Sequence, residues 1–314
     1  MTAHAPHATS LRGHRVLLVG PGWLGQAVAE HLVSLGSTVG VLQRSARPSL
    51  AQVAAIAGDI THAAAGAASR DALCAAVAHA LPLPIDHLAV CVAPSRARGD
   101  DYSLYPRAAA GVAALARALG IRSVLYVSST GVYDRHDGSE VTEQSPITPH
   151  DARVQALHDA EQLLLQLADD QDTTVHIVRA AGLYGPQRDP AARFADPAFA
   201  AANVWCNFSW RDDVISAIAH LLQHDRAPGV RVFNCADGTP LRSSDIATTL
   251  TGRTTPTPED RAPIDRSAPV RSGRSNQRIN VDALLATGWR PAAPTVYDGL
   301  RLLGHSVPLA AVAS

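Results

Sequence analysis

Three closely spaced glycines, Gly20, Gly22 and Gly25, follow the short apolar run Val16–Val19. Each has a separate physical use: the first allows a tight turn, the second lets a ligand approach the backbone, and the third lets a helix pack closely against the strand. Apolar residues at helical spacing follow, and the unpaired N–H groups at the start of a helix bind phosphate. The pattern therefore predicts a binding site for the pyrophosphate of a dinucleotide. The residues expected to form it are Gly20, Gly22, Trp23, Leu24 and Gly25.

A second predicted strand, Ser37–Leu42, runs into Gln43, Arg44 and Ser45. In dinucleotide-binding folds this position meets the adenosine ribose, where a carboxylate accepts a hydrogen bond from the 2′-OH of NAD. No carboxylate is present here, and an arginine pairs well with a phosphate. The sequence therefore favours NADP(H) over NAD(H). The alternative is an arginine that simply extends into solvent beyond the strand.

Further candidate cofactor contacts follow the later strands. Asp59 lies near the end of the predicted third strand, Gln52–Ile60, and is expected to approach the adenine. Ligands of open parallel sheets lie outside the carboxyl ends of the strands, so the residues that follow the later strands complete the predicted site. These additional contacts are Ile60, Val92, Ala93, Ser128, Ala181 and Gly182.

The alternation of apolar strands and helical segments predicts an α/β fold, a Rossmann-like doubly wound parallel sheet with a smaller C-terminal substrate lobe. The expected dinucleotide-binding domain is 13–184, joined by about 209–236, and the expected lobe is 185–208 with 237–304. Residues 1–12 and 305–314 are expected to be tails, and a long helix is expected from Pro146 to Ala168. Trp205 and Trp210 belong to the lobe region and either line a substrate pocket or fill its core.

Composition excludes several classes of function. The formal net charge is −1 in 314 residues, which indicates neither a nucleic-acid nor a membrane partner. No apolar run approaches the roughly 20 residues of a membrane span, the first residues lack a signal peptide pattern, and four scattered cysteines suit a reducing cytoplasm. We expect no metal site, because there is no C-x-x-C pair and His220 and His224 lack a third ligand.

The chain contains no lysine, so all 27 basic residues are arginine. This excludes a lysine Schiff base, a phosphate-binding Walker lysine and any proton transfer that a lysine assists.

Nine segments, in their order along the chain, resemble the extended short-chain dehydrogenase/reductases, the NAD-dependent epimerase/dehydratase group. They are GPGWLG, AGDITH, CVAPS, VLYVSSTGVY, AEQLLL, VRAAGLYGP, WRDDVISAI, VFNCADG and TGWRP. The resemblance spans most of residues 13–304. The G-x-G-x-x-G spacing, instead of G-x-x-G-x-x-G, resembles an atypical branch of that group. The first motif also resembles β-hydroxyacid dehydrogenases and imine reductases, which lack the SSTGVY and RAAGLYGP segments.

In the resembled family a Ser/Thr, a Tyr and a Lys assemble beside the nicotinamide, and the tyrosine exchanges the proton. The serine position corresponds to Ser129, with Thr130 beside it, whereas the Tyr and Lys positions fall on Arg153 and Leu157. The candidate replacements for the proton donor are Tyr133, Tyr184, His150, Asp151 and His158. Structural roles explain each of them more simply, such as packing under a loop for Tyr133 and a solvated helix face for His158. Arg153 is a candidate for binding an anionic substrate or for a surface ion pair.

Three functional hypotheses follow. The first is an NADP-dependent oxidoreductase that reduces a small, anionic carbonyl or imine substrate, because the cofactor supplies the hydride and an imine can arrive already protonated. The second is a non-catalytic redox sensor or scaffold that binds NAD(P). The third is an epimerase or isomerase that uses the cofactor transiently. The resemblance also implies a homodimer formed through the helices near Tyr105–Leu119 and Asp151–Ala168.

Overall fold

The computed structural model describes residues 10–44, 52–94, 101–169, 172–224, 227–252 and 275–308. Ser45, expected near the adenosine ribose, lies outside these ranges. The chain divides into two compact units. The first unit comprises 1–132, 149–179 and 215–233, and the second comprises 133–148, 180–214 and 234–314.

A seven-stranded sheet forms the centre of the first unit. Its strands are β1 (Arg15–Val19), β2 (Thr38–Gln43), β3 (Val53–Ala57), β4 (His87–Val90), β5 (Ser123–Ser129), β7 (Thr174–Ala180) and β11 (Gly229–Cys235). They lie in the order β11-β7-β5-β4-β1-β2-β3. The pairs β1 with β2, β1 with β4, β2 with β3 and β4 with β5 are parallel. The strand order confirms the predicted doubly wound parallel sheet.

Helices connect the strands of this sheet. They are α1 (Trp23–Ser34), α2 (Ala67–Ala80), α3 (Leu104–Leu119), α4 (Ala152–Asp169) and α7 (Arg211–His224), with 3₁₀ turns at Ile60–Ala64 and Thr130–Val132. Buried strand residues such as Leu17, Leu88 and Tyr126 form one core with buried residues of α3 and α4. None of the described helices combines the length and the apolar composition that crossing a bilayer requires.

The second unit consists of short elements. Its strands are β6 (Glu140–Val141), β8 (Gly182–Tyr184), β9 (Trp205–Cys206), β10 (Phe208–Trp210), β12 (Leu241–Arg242) and β13 (Arg278–Ile279). Its helices are α5 (Ala191–Phe194), α6 (Pro197–Ala202), α8 (Ser243–Thr251), α9 (Asp282–Ala286) and α10 (Val296–Leu302). Tyr184, Phe194, Phe208 and Trp210 belong to its separate hydrophobic core. Trp210 therefore fills the core, the second of the two roles considered for it.

The units differ from the sequence-based domains at several boundaries, and residues 209–214 and 234–236 belong to the second unit instead of the dinucleotide-binding domain. Residues 133–148, expected in the dinucleotide-binding domain, belong to the second unit, where β6 pairs with β13. Residues 180–184 also belong there, and within them β8 pairs in parallel with β10. Both segments join the second unit through short strand ladders whose partners lie far along the chain, so local sequence patterns give no sign of them.

The ends of the domain and two element boundaries also differ from expectation. Leu11, expected in a tail, is fully buried, and its carbonyl accepts a hydrogen bond from the Ser37 hydroxyl. The third strand ends at Ala57 instead of Ile60. The helix expected from Pro146 begins at Ala152, because the Asp151 side chain accepts a hydrogen bond from the Val154 N–H and so caps the first turn.

Candidate active site

The order of the central sheet reverses between β1 and β4, and open α/β sheets bind ligands outside the carboxyl ends of strands at such a point. Gly20 follows β1 with φ of +90°, in the left-handed region that favours glycine. A Cβ atom at Gly20 would lie 2.9 Å from the backbone of Cys91 and 2.9 Å from the Val92 side chain. The first glycine of the motif therefore turns the chain tightly against the residues that follow β4.

The other two glycines occupy the positions that phosphate binding requires. Gly22 is exposed, begins α1 as its N-cap, and has nothing within 4 Å of the place where a Cβ atom would stand. At Gly25 a Cβ atom would collide with the Gly20 carbonyl oxygen, so only glycine lets α1 pack this closely on the loop. The first turn of α1, which includes Trp23 and Leu24, has no side-chain cap and no acidic residue. This helix N-terminus suits an anion.

Gln43 ends β2, and Arg44 follows it with an exposed side chain. Asp59 lies close enough for the Arg44 charge to act on it, but its carboxylate accepts hydrogen bonds from the Thr61 N–H and hydroxyl, at 2.9 and 2.8 Å. Burial alone would raise the pKa of Asp59, but these hydrogen bonds and the charges of His62 and Arg44 lower it overall. Asp59 therefore caps the 3₁₀ turn as an anion. It lies near Arg44, the cation expected to contact the adenosine ribose.

Ile60 and the residues after β4 complete this side of the site. The Ile60 side chain is buried, and a Cβ atom at Gly111 of α3 would collide with the Ile60 carbonyl, so α3 packs tightly on the 3₁₀ turn. Val92 is half-buried and Ala93 is exposed. Both follow β4 next to the glycine loop, at the edge where a dinucleotide would cross the sheet.

Ser128 belongs to a buried ionic cluster rather than to the open surface of the site. Its hydroxyl donates to Glu161 Oε1 at 2.6 Å. The same carboxylate receives two hydrogen bonds from Arg179, from Nε at 3.1 Å and from Nη2 at 2.6 Å. The Arg179 and Glu161 side chains are 5% and 1% exposed. This cluster joins the carboxyl ends of β5 and β7 to α4, and no motif in the sequence indicates it.

Ser129 and Thr130 end β5 and begin the next turn. The Ser129 side chain is half-buried, and its oxygen accepts a hydrogen bond from the Gly131 N–H at 3.1 Å. Its own O–H proton can therefore be donated to a ligand. Thr130 is buried. The Arg153 guanidinium covers the same turn, because a Cβ atom at Gly131 would lie 3.0 Å from Arg153 Cζ.

His158 lies six residues after the first residue of α4, about 9 Å along the helix axis. Its Nδ1 atom is buried and has no hydrogen-bond partner among the described residues. His158 is therefore placed along the body of the helix and not at its N-terminus, where Arg153 lies.

Three predicted site residues lie in the second unit. The Tyr133 hydroxyl donates to Asn234 Oδ1 at 2.7 Å, and both residues are buried. This contact is the packing role that the sequence also allowed for Tyr133. Ala181 is buried, and its N–H donates to the Cys235 carbonyl and the Ser209 hydroxyl. Gly182 is exposed at the start of β8.

Tyr105, the second residue of α3, is a further candidate residue of the active site that no sequence motif indicated. It is half-buried against the core of the first unit. Burial raises the pKa of Tyr105, and the nearby charge of Arg153 opposes that rise. The available sequence signal was its place at the start of the helix after β4, where ligands of this fold bind.

Trp205 lines a cavity of about 510 Å³ within the second unit. Two guanidinium groups lie near its ring, with Arg242 Cζ 4.4 Å and Arg278 Cζ 5.6 Å from the ring centroid. Thr239 and Asn280 line the same cavity, and the substrate-binding role considered for Trp205 stays a prediction.

The strand order and the glycine loop together define the class of Rossmann-like α/β proteins. The sequence model of the NAD dependent epimerase/dehydratase family matches residues 16–236, which is more than half of the chain. The chain belongs to the NAD-dependent epimerase/dehydratase family.

Two comparisons above 25% identity agree with this membership. Protein YeeZ of Escherichia coli K12 is 34% identical over 157 residues, which are 49% of this chain and 54% of YeeZ. The chain therefore spans about half the length of this curated relative. A solved structure from Methylobacillus flagellatus, classed with the NAD-dependent epimerases/dehydratases, superposes with a TM-score of 0.67. It is 27% identical, and the alignment covers 92% of this chain and 97% of that one.

A more distant structure confirms the fold alone. The UDP-glucose 4-epimerase of Thermotoga maritima, solved with UDP-glucose, superposes with a TM-score of 0.69 at 16% identity. The alignment covers 92% of this chain and 96% of the epimerase.

Proposed function

We propose that this protein is an oxidoreductase that binds NADP(H) and reduces a small carbonyl or imine substrate. The observation that carries the proposal is the glycine loop at the reversal of strand order. There the exposed Gly22 and the first turn of α1, which has no acidic residue, face a site that fits a pyrophosphate. The family to which the chain belongs uses a nicotinamide cofactor of this kind.

The residues after β2 support a preference for the 2′-phosphate. Arg44 is exposed at the position that meets the adenosine ribose, and Gln43 brings no negative charge to it. The nearby Asp59 follows β3 and not β2, and its Oδ1 atom accepts two hydrogen bonds from Thr61, so we do not expect it to replace the carboxylate that ends β2 in an NAD site. A rigid, always charged guanidinium pairs well with a phosphate.

The chemistry that the bound dinucleotide supplies is hydride transfer. The chain itself must orient the acceptor and handle one proton, and it must do so without lysine. We expect Ser129, whose O–H is available to donate, to orient the oxygen of a carbonyl substrate at the carboxyl end of β5. An imine demands less of the chain, because it can arrive protonated.

A second candidate function is epimerisation, which membership of the family favours. An epimerase would remove a hydride and return it to the same substrate, so the dinucleotide would show no net change. A reductase instead consumes NADPH in proportion to product. Measuring product and NADPH together on the same reaction separates the two.

The test is a fluorescence titration of the purified protein with NADPH and with NADH, followed by NADPH oxidation against a panel of carbonyl and imine compounds. We expect tighter binding of NADPH and oxidation by at least one compound of the panel. If neither dinucleotide binds, the proposal is wrong. Tight binding without oxidation would favour a redox sensor or scaffold.

The substitution Arg44→Ala tests the cofactor preference. We expect it to weaken NADPH binding by about 1 to 3 kcal/mol and to leave NADH binding nearly unchanged, because only the 2′-phosphate loses a charge-assisted contact. Arg70→Ala is the matched control, since Arg70 lies on α2 with its partner Asp71 beside it. Equal losses for NADPH and NADH in Arg44→Ala would refute the role of Arg44.

A further inference from the structure

We infer that Tyr105 is the proton donor for the hydride-transfer reaction and that Arg153 stabilises the phenolate that the transfer leaves. This inference rests on the proposed function and assigns the acid–base residue of that same site. In this inference Arg153 does not bind an anionic substrate. It stabilises the phenolate of Tyr105 instead.

Topology brings Tyr105 and Arg153 to one edge of the sheet. Helix α3 follows β4, and α4 follows β5, so both helices begin at the carboxyl ends of neighbouring parallel strands. Each of the two residues is the second residue of its helix. Helices α3 and α4 pack against each other, and the two side chains are close enough for the Arg153 charge to act on the Tyr105 phenol.

Arg153 links Tyr105 to the turn after β5. Its guanidinium covers Gly131, whose N–H donates to the Ser129 hydroxyl. A phenol, a guanidinium and a serine hydroxyl are therefore gathered at the carboxyl end of β5, beside the point where the strand order reverses. This set can orient a carbonyl oxygen through Ser129 and protonate it from Tyr105.

The other hydroxyl candidates near this edge have assigned partners or unsuitable positions. Ser128 donates to Glu161. Tyr133 donates to Asn234. The Tyr126 hydroxyl is fully buried within β5 and has no hydrogen-bond partner among the described residues. Negative charge on Tyr105 or Glu161 raises the pKa of Tyr126, so the three groups lie near one another. Tyr105 therefore has a buried polar neighbour and is not surrounded by hydrocarbon alone.

The proposed step balances in atoms and charge. As the carbonyl carbon accepts a hydride from bound NADPH, the O–H bond of Tyr105 breaks and its proton goes to the carbonyl oxygen, which forms the alcohol. The phenolate of Tyr105, beside the Arg153 cation, then takes a proton from water. The net reaction converts a carbonyl compound, NADPH and one proton into an alcohol and NADP⁺.

The first experiment needs no substrate. We would place 3,5-difluorotyrosine, an acidified phenol that titrates within the pH range of a folded protein, at position 105 and follow its ionisation by ¹⁹F NMR. We expect the pKa of the label to be lower in the NADP⁺ complex than in the NADPH complex by about one unit, because only the oxidised nicotinamide carries a positive charge. Arg153→Met should raise the pKa of the label in both complexes.

The same label at Tyr297 is the control, since that hydroxyl bonds to Thr249 within the second unit. We expect the pKa at position 297 to be equal in the two complexes. Equal pKa values at position 105, with both dinucleotides bound, overturn the inference and leave the proposed function standing. If neither NADPH nor NADP⁺ binds, the inference and the proposed function are both wrong.

The second experiment uses the carbonyl compound of the panel that oxidises NADPH fastest. We expect Tyr105→Phe to lower kcat by about 100-fold or more and to leave the dissociation constant for NADPH unchanged. Tyr102→Phe, which removes a neighbouring hydroxyl three residues earlier, should retain the kcat of the unmodified protein. Retention of kcat by Tyr105→Phe would also overturn the inference.

Discussion

The two edges of the central sheet carry polar residues of similar types but use them differently. At the amino edge, Arg15 donates to the Asp86 carboxylate through its backbone N–H, Nε and Nη2. Next to this pair, His87 is 2% exposed and joins His14 at 3.0 Å and Ser123 at 2.8 Å. Each of these groups has a partner on an adjacent strand, so the amino edge is closed by its own hydrogen bonds.

The carboxyl edge has a closed layer and an open one. The closed layer is the buried cluster of Ser128, Glu161 and Arg179. The open layer contains the exposed Gly22 loop and the Ser129 hydroxyl, together with the pair formed by Tyr105 and Arg153. Polar residues alone therefore do not mark a site in this fold. The proposed site lies where polar groups, such as the Ser129 hydroxyl, can still form a hydrogen bond to a ligand.

The largest effect that tests this comparison is expected from the closed layer of the carboxyl edge. Glu161→Gln should lower the free energy of unfolding by about 3 to 5 kcal/mol, because it leaves the buried Arg179 cation without its carboxylate. Urea unfolding followed by circular dichroism measures the loss. The double variant Glu161→Met with Arg179→Met should recover most of it, since an apolar pair buries no charge. A loss below about 1 kcal/mol in the single variant would mean that the ion pair is not a main support of this edge.

A smaller effect, on binding alone, is expected from the open layer. Gly22→Ala should weaken NADPH binding by about tenfold, or 1.4 kcal/mol, because the added methyl group points into the space predicted for the pyrophosphate. Unfolding free energy should stay equal or rise slightly, since nothing lies within 4 Å of that methyl group and alanine restricts the unfolded chain.

Gly66→Ala is the matched control for this binding experiment. Gly66 is also an exposed helix N-cap with open space around a Cβ atom, but it begins α2 instead of α1. NADPH affinity should be unchanged in that variant. Equal affinities in Gly22→Ala and in the unmodified protein would remove the pyrophosphate from the glycine loop.

The contrast between local and distant contacts explains how much the sequence revealed. The glycine loop could be predicted because strand, turn and helix lie within one short segment, and each glycine has a steric requirement of its own. The start of α4 was misplaced because its cap, Asp151, competes with an earlier proline signal. The Ser128–Glu161 contact joins residues 33 apart, and only the packing of α3 on α4 brings Tyr105 within reach of the Arg153 charge. Tertiary contacts of this kind leave no periodic or motif signal in a single sequence.

An effect of similar size, on stability alone, tests the closed amino edge. Ser123→Ala removes the hydroxyl that meets His87 Nδ1 and should lower the free energy of unfolding by about 1 to 2 kcal/mol, because His87 is buried and loses one hydrogen-bond partner. NADPH affinity should not change, since Ser123 begins β5 and the predicted dinucleotide site lies at the opposite ends of the strands. Parallel urea unfolding and NADPH titration of the same preparation measure both quantities. If Ser123→Ala weakened NADPH binding while stability stayed constant, the division of the sheet into a structural edge and a binding edge would fail, because a side chain at the amino edge would then act on the ligand.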